Sequence, residues 1–299
     1  RADTFERKTA KNLNWVSRNI RYPKHKKAKN HPIFTSYGMT VKMIESLERI
    51  IRDAGTQLLQ WREKLTVGHV NYKSEADLVT EADRAIESLL RRELADSFPA
   101  FGFVGEESGA HGSVEKYFLV DPIDGTTSFV HGIPYYSISV AVKQGGETTH
   151  GFVYAPALDQ FFQAEKGRGS HCNGRRLQVS KTDTLIHALA ATGFACVRQR
   201  VQPDNLPLFN DVIHRLRGIR RLGSAAIDLC LVAQGVLDLY WEMNIQPWDI
   251  AAGTLILREA GGTVTDFEGE DGTETNHRIV ASNGALHTHF LSCIRNVYG

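Results

Sequence analysis

The stretch FLVDPIDGTTSFV, residues 118–130, opens as an apolar strand and then sets Asp121 and Asp124 three residues apart at the strand's end. Two carboxylates that close repel each other, so the arrangement needs either a turn that separates them or a counter-charge. Taken alone, DPIDG is turn chemistry: proline presets φ, and Asp-Gly favours tight reversals. The alternative is a rim where a hard divalent cation neutralises both carboxylates, with the Ile123 main-chain carbonyl as a third oxygen donor. The GTTSF that follows suits a helical turn whose free N–H groups receive a phosphate.

Three other acid-bearing stretches sit where further oxygen ligands would be needed. FGFVGEESG, residues 101–109, ends a predicted strand with Glu106 and Glu107 and by itself reads as a solvated loop or a helix cap. QPWDIAAG, residues 246–253, places Asp249 at the start of an apolar helix, an ordinary capping position. DLVTEAD, residues 77–83, sets Thr80 and Asp83 around another helix start. Acid-bearing element ends repeated in this way within one chain are more than capping requires.

Outward from these motifs the chain alternates helix and strand. Met43, Ile44, Leu47, Ile50, Ile51, Ala54, Leu58 and Trp61 recur at helical spacing and predict a long amphipathic helix. A short apolar piece, Leu78 to Thr80, runs into a second helix carrying Ile86, Leu89, Leu90 and Leu94. Strands are predicted at Phe101 to Val104, Tyr117 to Val120, Ser137 to Lys143, Gly151 to Tyr154 and Phe161 to Ala164. From about residue 184, strands at Leu189 to Thr192, Ile219 to Leu222, Leu237 to Trp241 and Gly262 to Asp266 alternate with helices over 206–217, 224–235 and 249–260. The pattern reads as two mixed α/β halves, residues 39–183 and 184–299, meeting at a cleft. GRGSHCNG, residues 167–174, lacks the Lys-Ser/Thr of a P-loop and reads as a hairpin connection.

The chain of 299 residues is 42% hydrophobic and 23% charged, ordinary for a soluble protein, and no apolar run is long enough for a membrane span. Its net charge of +1 hides an asymmetry: residues 1–38 hold 10 basic against 2 acidic residues, and the remainder 25 against 32. The front segment therefore reads as a basic arm, a tag or an extension ahead of Met39. The acidic body is a poor nucleic-acid surface but suits carboxylates gathered around cations. Four scattered cysteines form no CxxC pair, which points to free thiols and a cytoplasmic location. His287 and His289 are expected to be solvated near the C-terminus. Neither a GxSxG elbow nor a Ser/His/Asp set argues for a side-chain nucleophile.

GEES, DPIDGTTSFVHGIP, GSAAIDLCLVAQG and EMNIQPWDIAAG occur in the order and spacing of the inositol monophosphatase family, and ADLVTEAD resembles its upstream motif. The resemblance covers residues 40–299 and leaves the arm outside. It implies an α+β fold, the layered αβαβα sugar-phosphatase architecture with the active site between two mixed halves, assembled as a homodimer. It also implies a Mg²⁺-dependent, Li⁺-inhibited phosphatase with two or three cations per site, most closely an inositol-1-phosphate phosphatase. Fructose 1,6-bisphosphate, histidinol phosphate and 3′-phosphoadenosine 5′-phosphate are the alternative substrates.

Residue by residue, the resemblance makes Glu106, Asp121 and the Ile123 carbonyl ligands of one Mg²⁺, and Asp121, Asp124 and Asp249 ligands of a second. Thr126, oriented by Asp83, would position the attacking water, with Glu106 also in a catalytic role. Substrate would meet Ile123, Asp124, Gly125, Thr126, Asp249, the Gly223-Ser224-Ala225 backbone and Glu242, which would accept a hydrogen bond from a ring hydroxyl. Because some bacterial relatives act as partners of the transcription machinery, RNA or protein binding through the basic arm is the competing reading.

Overall fold

The computed structural model describes residues 41–65, 72–271 and 273–299, with the helical backbone alone for 72–80. The basic arm and the side chain of Thr80 lie outside that description. Among the described residues no helix is long and apolar enough to cross a membrane.

Among the described residues two long helices come first, α1 (Val41–Lys64) and α2 (Tyr72–Ser97). An eight-stranded sheet follows, built from β1 (Gly102–Gly105), β2 (Gly109–His111), β3 (Lys116–Asp124), β4 (Ser137–Gln144), β5 (Glu147–Ala155), β6 (Gln160–Glu165), β7 (Gly169–Cys172) and β8 (Arg175–Arg176). Its order is β2-β1-β3-β4-β5-β6-β7-β8, with only β1 and β3 parallel. The short helix α3 (Thr126–His131) leaves the end of β3.

A second sheet of five strands is built from β9 (Leu189–Thr192), β10 (Gly218–Arg220), β11 (Leu239–Met243), β12 (Thr263–Thr265) and β13 (Arg278–Ser282), in the order β10-β9-β11-β13-β12. Between its strands run α4 (Ala195–Arg198), α5 (Leu206–Val212), α6 (Ala225–Ala233), α7 (Pro247–Glu259) and α8 (Thr273–Asn276), and α9 (His287–Tyr298) closes the chain.

Strand alternation explains the layering. Phe118 and Val120 of β3, Val140 and Val142 of β4 and Phe152 of β5 pack with Leu47, Ile51, Leu58, Ile86 and Leu90 of the first two helices. Leu119, Ala141, Val153 and Phe162, one residue out of phase, face the opposite way and pack with Ile227 and Leu231 of α6 and Ile250 and Leu257 of α7. Ala191, Tyr240, Ile279 and Ala281 of the second sheet close over the same two helices. Leu239, Trp241 and Val280 face outward onto α5 and α9. The result is five layers, αβαβα. The middle helices are covered on both sides, so α6 is buried along its whole length and shows no polar face.

Several sequence expectations shift. DPIDG is not a free turn, because β3 continues through it to Asp124. Helix α2 begins well ahead of DLVTEAD, so Asp83 lies in its interior rather than at a cap. The helix predicted over 206–217 ends at Val212 and continues as isolated turns. Strand β13 and helix α9 follow the last predicted element. His287 belongs to α9 and is buried, bonded to Thr265 Oγ1 at 2.9 Å and Ser282 Oγ at 3.0 Å; His289 alone of the pair is exposed. Residues 167–174 do serve a hairpin, linking β6 to β7 and β7 to β8. The four cysteines are buried free thiols.

Candidate active site

The site is organised by an irregularity in β3. Asp121 pairs with Ser139 and Asp124 with Ser137, so three residue steps on β3 match two on β4. That is one extra residue, a bulge. In a regular strand, positions three apart would point to opposite faces; the bulge returns Asp124 to the face of Asp121. Pro122 fits there because a bulge leaves a residue out of the hydrogen-bond ladder. The shared face is the one toward α6 and α7, since Ser139 Oγ donates to Trp248 O at 3.0 Å and Ser137 Oγ bonds Ser224 Oγ at 3.2 Å.

Each carboxylate has a defined set of donors. Asp121 Oδ1 accepts the Ile123 N–H at 2.9 Å. Asp124 sits on the N-terminus of α6, accepting the Ser224 hydroxyl at 2.5 Å, the Ala226 N–H at 2.8 Å and the Ala225 N–H at 3.2 Å. These bonds satisfy amides that a helix start leaves unpaired. Asp249 is not the N-cap of α7, a place Gln246 takes, but the N3 residue of its capping box, accepting the Gln246 N–H at 3.0 Å. Thr126 gives its hydroxyl proton to Ile123 O at 3.1 Å, so here that carbonyl and not Asp83 receives it. Gly125 joins β3 to α3 at φ 93°, and a Cβ there would lie 2.8 Å from Tyr135 O and 3.1 Å from Gly223 O. The first turn of α3 therefore lies directly against the Gly223-Ser224 turn.

Burial and mutual repulsion set the protonation. Asp83 is pushed up to about 8 by burial and then by the charges of Glu106, Glu107 and Glu87. Burial, with Glu107, Asp124 and Glu87 adding to it, lifts Glu106 to about 7, and a hydrogen bond shared with Asp121 pulls the other way. Asp121 is raised well above the usual carboxylate range by burial, Glu106, Asp124, Asp249 and Asp83. Asp249 is raised likewise by burial, Glu106 and Asp124. Asp124 reaches only about 6, because its bonds from Ser224, Ala226 and Ala225 oppose the effect of burial.

Glu242, at the end of β11, is buried beside the same group and accepts the Tyr240 hydroxyl at 2.7 Å. Burial raises it, while Tyr240 and the Arg221 charge hold it down. Two acids escaped the sequence reading. Asp228, on the buried length of α6, has an oxygen without a hydrogen-bond partner and is raised by burial, Glu242 and Asp124. Glu87 lies one turn beyond Asp83 on α2, and that i, i+4 spacing is the signal that could have found it.

Among the described residues no three His, Cys, Asp or Glu side chains form a ready-made cation cage. The donor chemistry nonetheless fits one: the oxygens are hard, and Glu106, Asp124, Asp249 and Asp83 all raise Asp121 by their charge. Buried carboxylates that repel one another are a strong host for Mg²⁺ or Mn²⁺.

Comparison with known proteins places the chain and its fold. The chain is 39% identical to Nus factor SuhB of Pseudomonas aeruginosa over 85% of its own length and 96% of the relative's. It is 38% identical to inositol-1-monophosphatase of Mesorhizobium japonicum over 76% and 86%. The inositol monophosphatase structure from Anabaena superposes with a TM-score of 0.77 at 33% identity, covering 86% of this chain and 96% of that one. The extragenic suppressor protein suhB of Bartonella henselae gives 0.76 at 36%, covering 85% and 99%. Residues 40–297 match the family model itself, and the chain belongs to the inositol monophosphatase family.

Proposed function

We propose that the chain is a Mg²⁺-dependent phosphomonoester hydrolase acting on polyol phosphates, with inositol 1-phosphate as its preferred substrate. The observation that carries this reading is the meeting of Glu106, Asp121, Asp124 and Asp249, delivered by three separate parts of the chain, with Asp121 in the field of the other three. These four side chains and the Ile123 carbonyl would hold the cation, which when bound supplies Lewis acidity and lowers the pKa of water.

The remaining work falls to the chain's own groups. Thr126 commits its proton to Ile123 O and so leaves its oxygen lone pairs to accept a hydrogen bond from an approaching water, which orients that water without taking its proton. The first turn of α3, at Gly125 and Thr126, offers amide donors to the phosphate. Asp124 fixes the Gly223-Ser224-Ala225 turn against that helix, which shapes the substrate wall. Glu242 stands at the end of β11, an acceptor for a hydroxyl of the leaving alcohol. Asp83 borders the Glu106–Glu107 loop, where it adds to the negative field that the cation offsets.

A phosphate-release panel tests the reading: inositol 1-phosphate, fructose 1,6-bisphosphate, histidinol phosphate and 3′-phosphoadenosine 5′-phosphate, each with and without Mg²⁺ and with added Li⁺. The expected result is Mg²⁺-dependent, Li⁺-inhibited release, fastest from inositol 1-phosphate. Release unaffected by chelation would overturn the cation assignment, and a preference for another substrate would overturn the leaving group.

The similarity to proteins named Nus factor favours one further role, association with the transcription machinery. Removing residues 1–38 separates the two activities: hydrolysis persists, and any salt-sensitive binding carried by the arm disappears.

A further inference from the structure

Glu87 makes no contact of the kind expected from a surface acid. It is buried on α2, and its two carboxylate oxygens reach 20 and 21 residues along the chain. Oε2 accepts the N–H of Glu107 at 2.8 Å, and Oε1 accepts the N–H of Ser108 at 2.8 Å. Those amides belong to the three-residue loop Glu106–Ser108 that joins β1 to β2, where Gly105 pairs with Gly109 and Gly109 takes φ 75°. Gly105 lies so close to the Glu87 carboxylate that any Cβ there would overlap it. The Glu106 main chain is tied to β3 by a long bond, its N–H to Val120 O at 3.3 Å. The loop's orientation is therefore set from below, by a two-pronged grip from a helix.

We propose that Glu87 is a positioning residue that sets the site's affinity for its divalent cation by holding the loop that presents Glu106. The inference rests on the cation reading given above. A carboxylate that receives two amides is specific in shape as well as charge: glutamine offers one acceptor and turns an NH₂ toward the second donor, and aspartate keeps the charge but draws it back by one methylene. Groups that orient a ligand without touching the cation typically change its affinity by about 10- to 100-fold when altered.

The test uses the full chain, Glu87→Gln and Glu87→Asp, with Mn²⁺ binding followed by electron paramagnetic resonance and thermal unfolding measured without cation. Both variants are expected to bind Mn²⁺ about tenfold more weakly or worse. Their KM for Mg²⁺ should rise in step, and turnover should recover at saturating Mg²⁺, which a collapsed site would not allow. If Glu87→Gln does not fold, Glu87→Asp carries the comparison. Wild-type affinity in both variants overturns the inference while leaving the cation site intact. Weak binding in Glu87→Gln with normal binding in Glu87→Asp also overturns it, because charge alone would then explain the effect. A wild-type protein that binds no Mn²⁺ would overturn the cation reading itself, and this inference with it.

Discussion

Asp121 is where the proposed cation site gathers its charge: it is buried, shares a hydrogen bond with Glu106, and lies in the field of Asp124, Asp249 and Asp83. Asp121→Asn should reduce kcat/KM by on the order of 10² to 10³, the scale for losing one preorganised electrostatic group. Its cation-free form should unfold at a higher temperature than wild type, since one repelling charge is gone. Normal turnover in this variant would refute its place in the cation site. Glu242→Gln should act differently. Loss of a charged hydrogen bond costs about 1.5 to 3 kcal/mol, or roughly one to two orders of magnitude, on inositol 1-phosphate. Hydrolysis of an aryl phosphate, which lacks ring hydroxyls, should hardly change, and an equal loss on both substrates would tie Glu242 to the fold instead. Glu106, Asp121, Asp124 and Asp249 could be singled out in advance by their places at motif ends, but each alone reads as turn, loop or cap, and only the family resemblance joined them into one site. Glu87 could not, because its partners, the amides of Glu107 and Ser108, have no side-chain signature in a sequence.

Element periodicity predicted α1, most of the strands of the larger sheet, and α6 and α7, because one-sided or fully enclosed burial writes itself into the residue pattern. The bulge in β3 was hidden, since nothing in DPIDG separates a turn from an interrupted strand until Ser137 and Ser139 are known to lie opposite. Helix–sheet contact was equally silent. On β5, a Cβ at Gly151 would come within 2.7 Å of Ala252 O on α7, a backbone atom that cannot rotate away. Gly151→Ala should therefore cost about 1 to 3 kcal/mol of stability, the usual scale of overpacking. It should also weaken Mg²⁺ activation, because α7 carries Asp249. Denaturant unfolding and Mg²⁺ titration of the rate check both halves; a neutral Gly151→Ala would mean that α7 shifts freely on the sheet.

At the scale of the whole molecule, the acid cluster couples folding to pH and, on the proposed function, to cation. Asp83 at about 8, Glu106 at about 7 and Asp124 at about 6 all lie above their ordinary values of 3.8, 4.5 and 3.8. The folded chain therefore binds more protons than the unfolded chain between those limits, and its stability falls as pH rises. Without cation, the melting temperature should be highest near pH 4 and decline through about pH 8, the value that Asp83 reaches. Saturating Mg²⁺ should flatten the decline, because a bound cation stabilises the deprotonated folded form. Calorimetric scans across that range, with and without Mg²⁺, measure the effect, and parallel curves would show that the carboxylates are not linked to cation.

The enclosed position of α6 and α7 also bears on how the protein is made. Leu119, Ala141, Val153 and Phe162 belong to strands that leave the ribosome early, yet the helices that cover them are synthesised from residue 225 onward. For that interval one side of a finished sheet has no shelter from water, and nascent surfaces of this kind recruit chaperones or aggregate. A fragment ending at residue 183 should accordingly partition into the pellet on expression. Supplying residues 184–299 as a separate chain in the same cell should bring part of it back into solution.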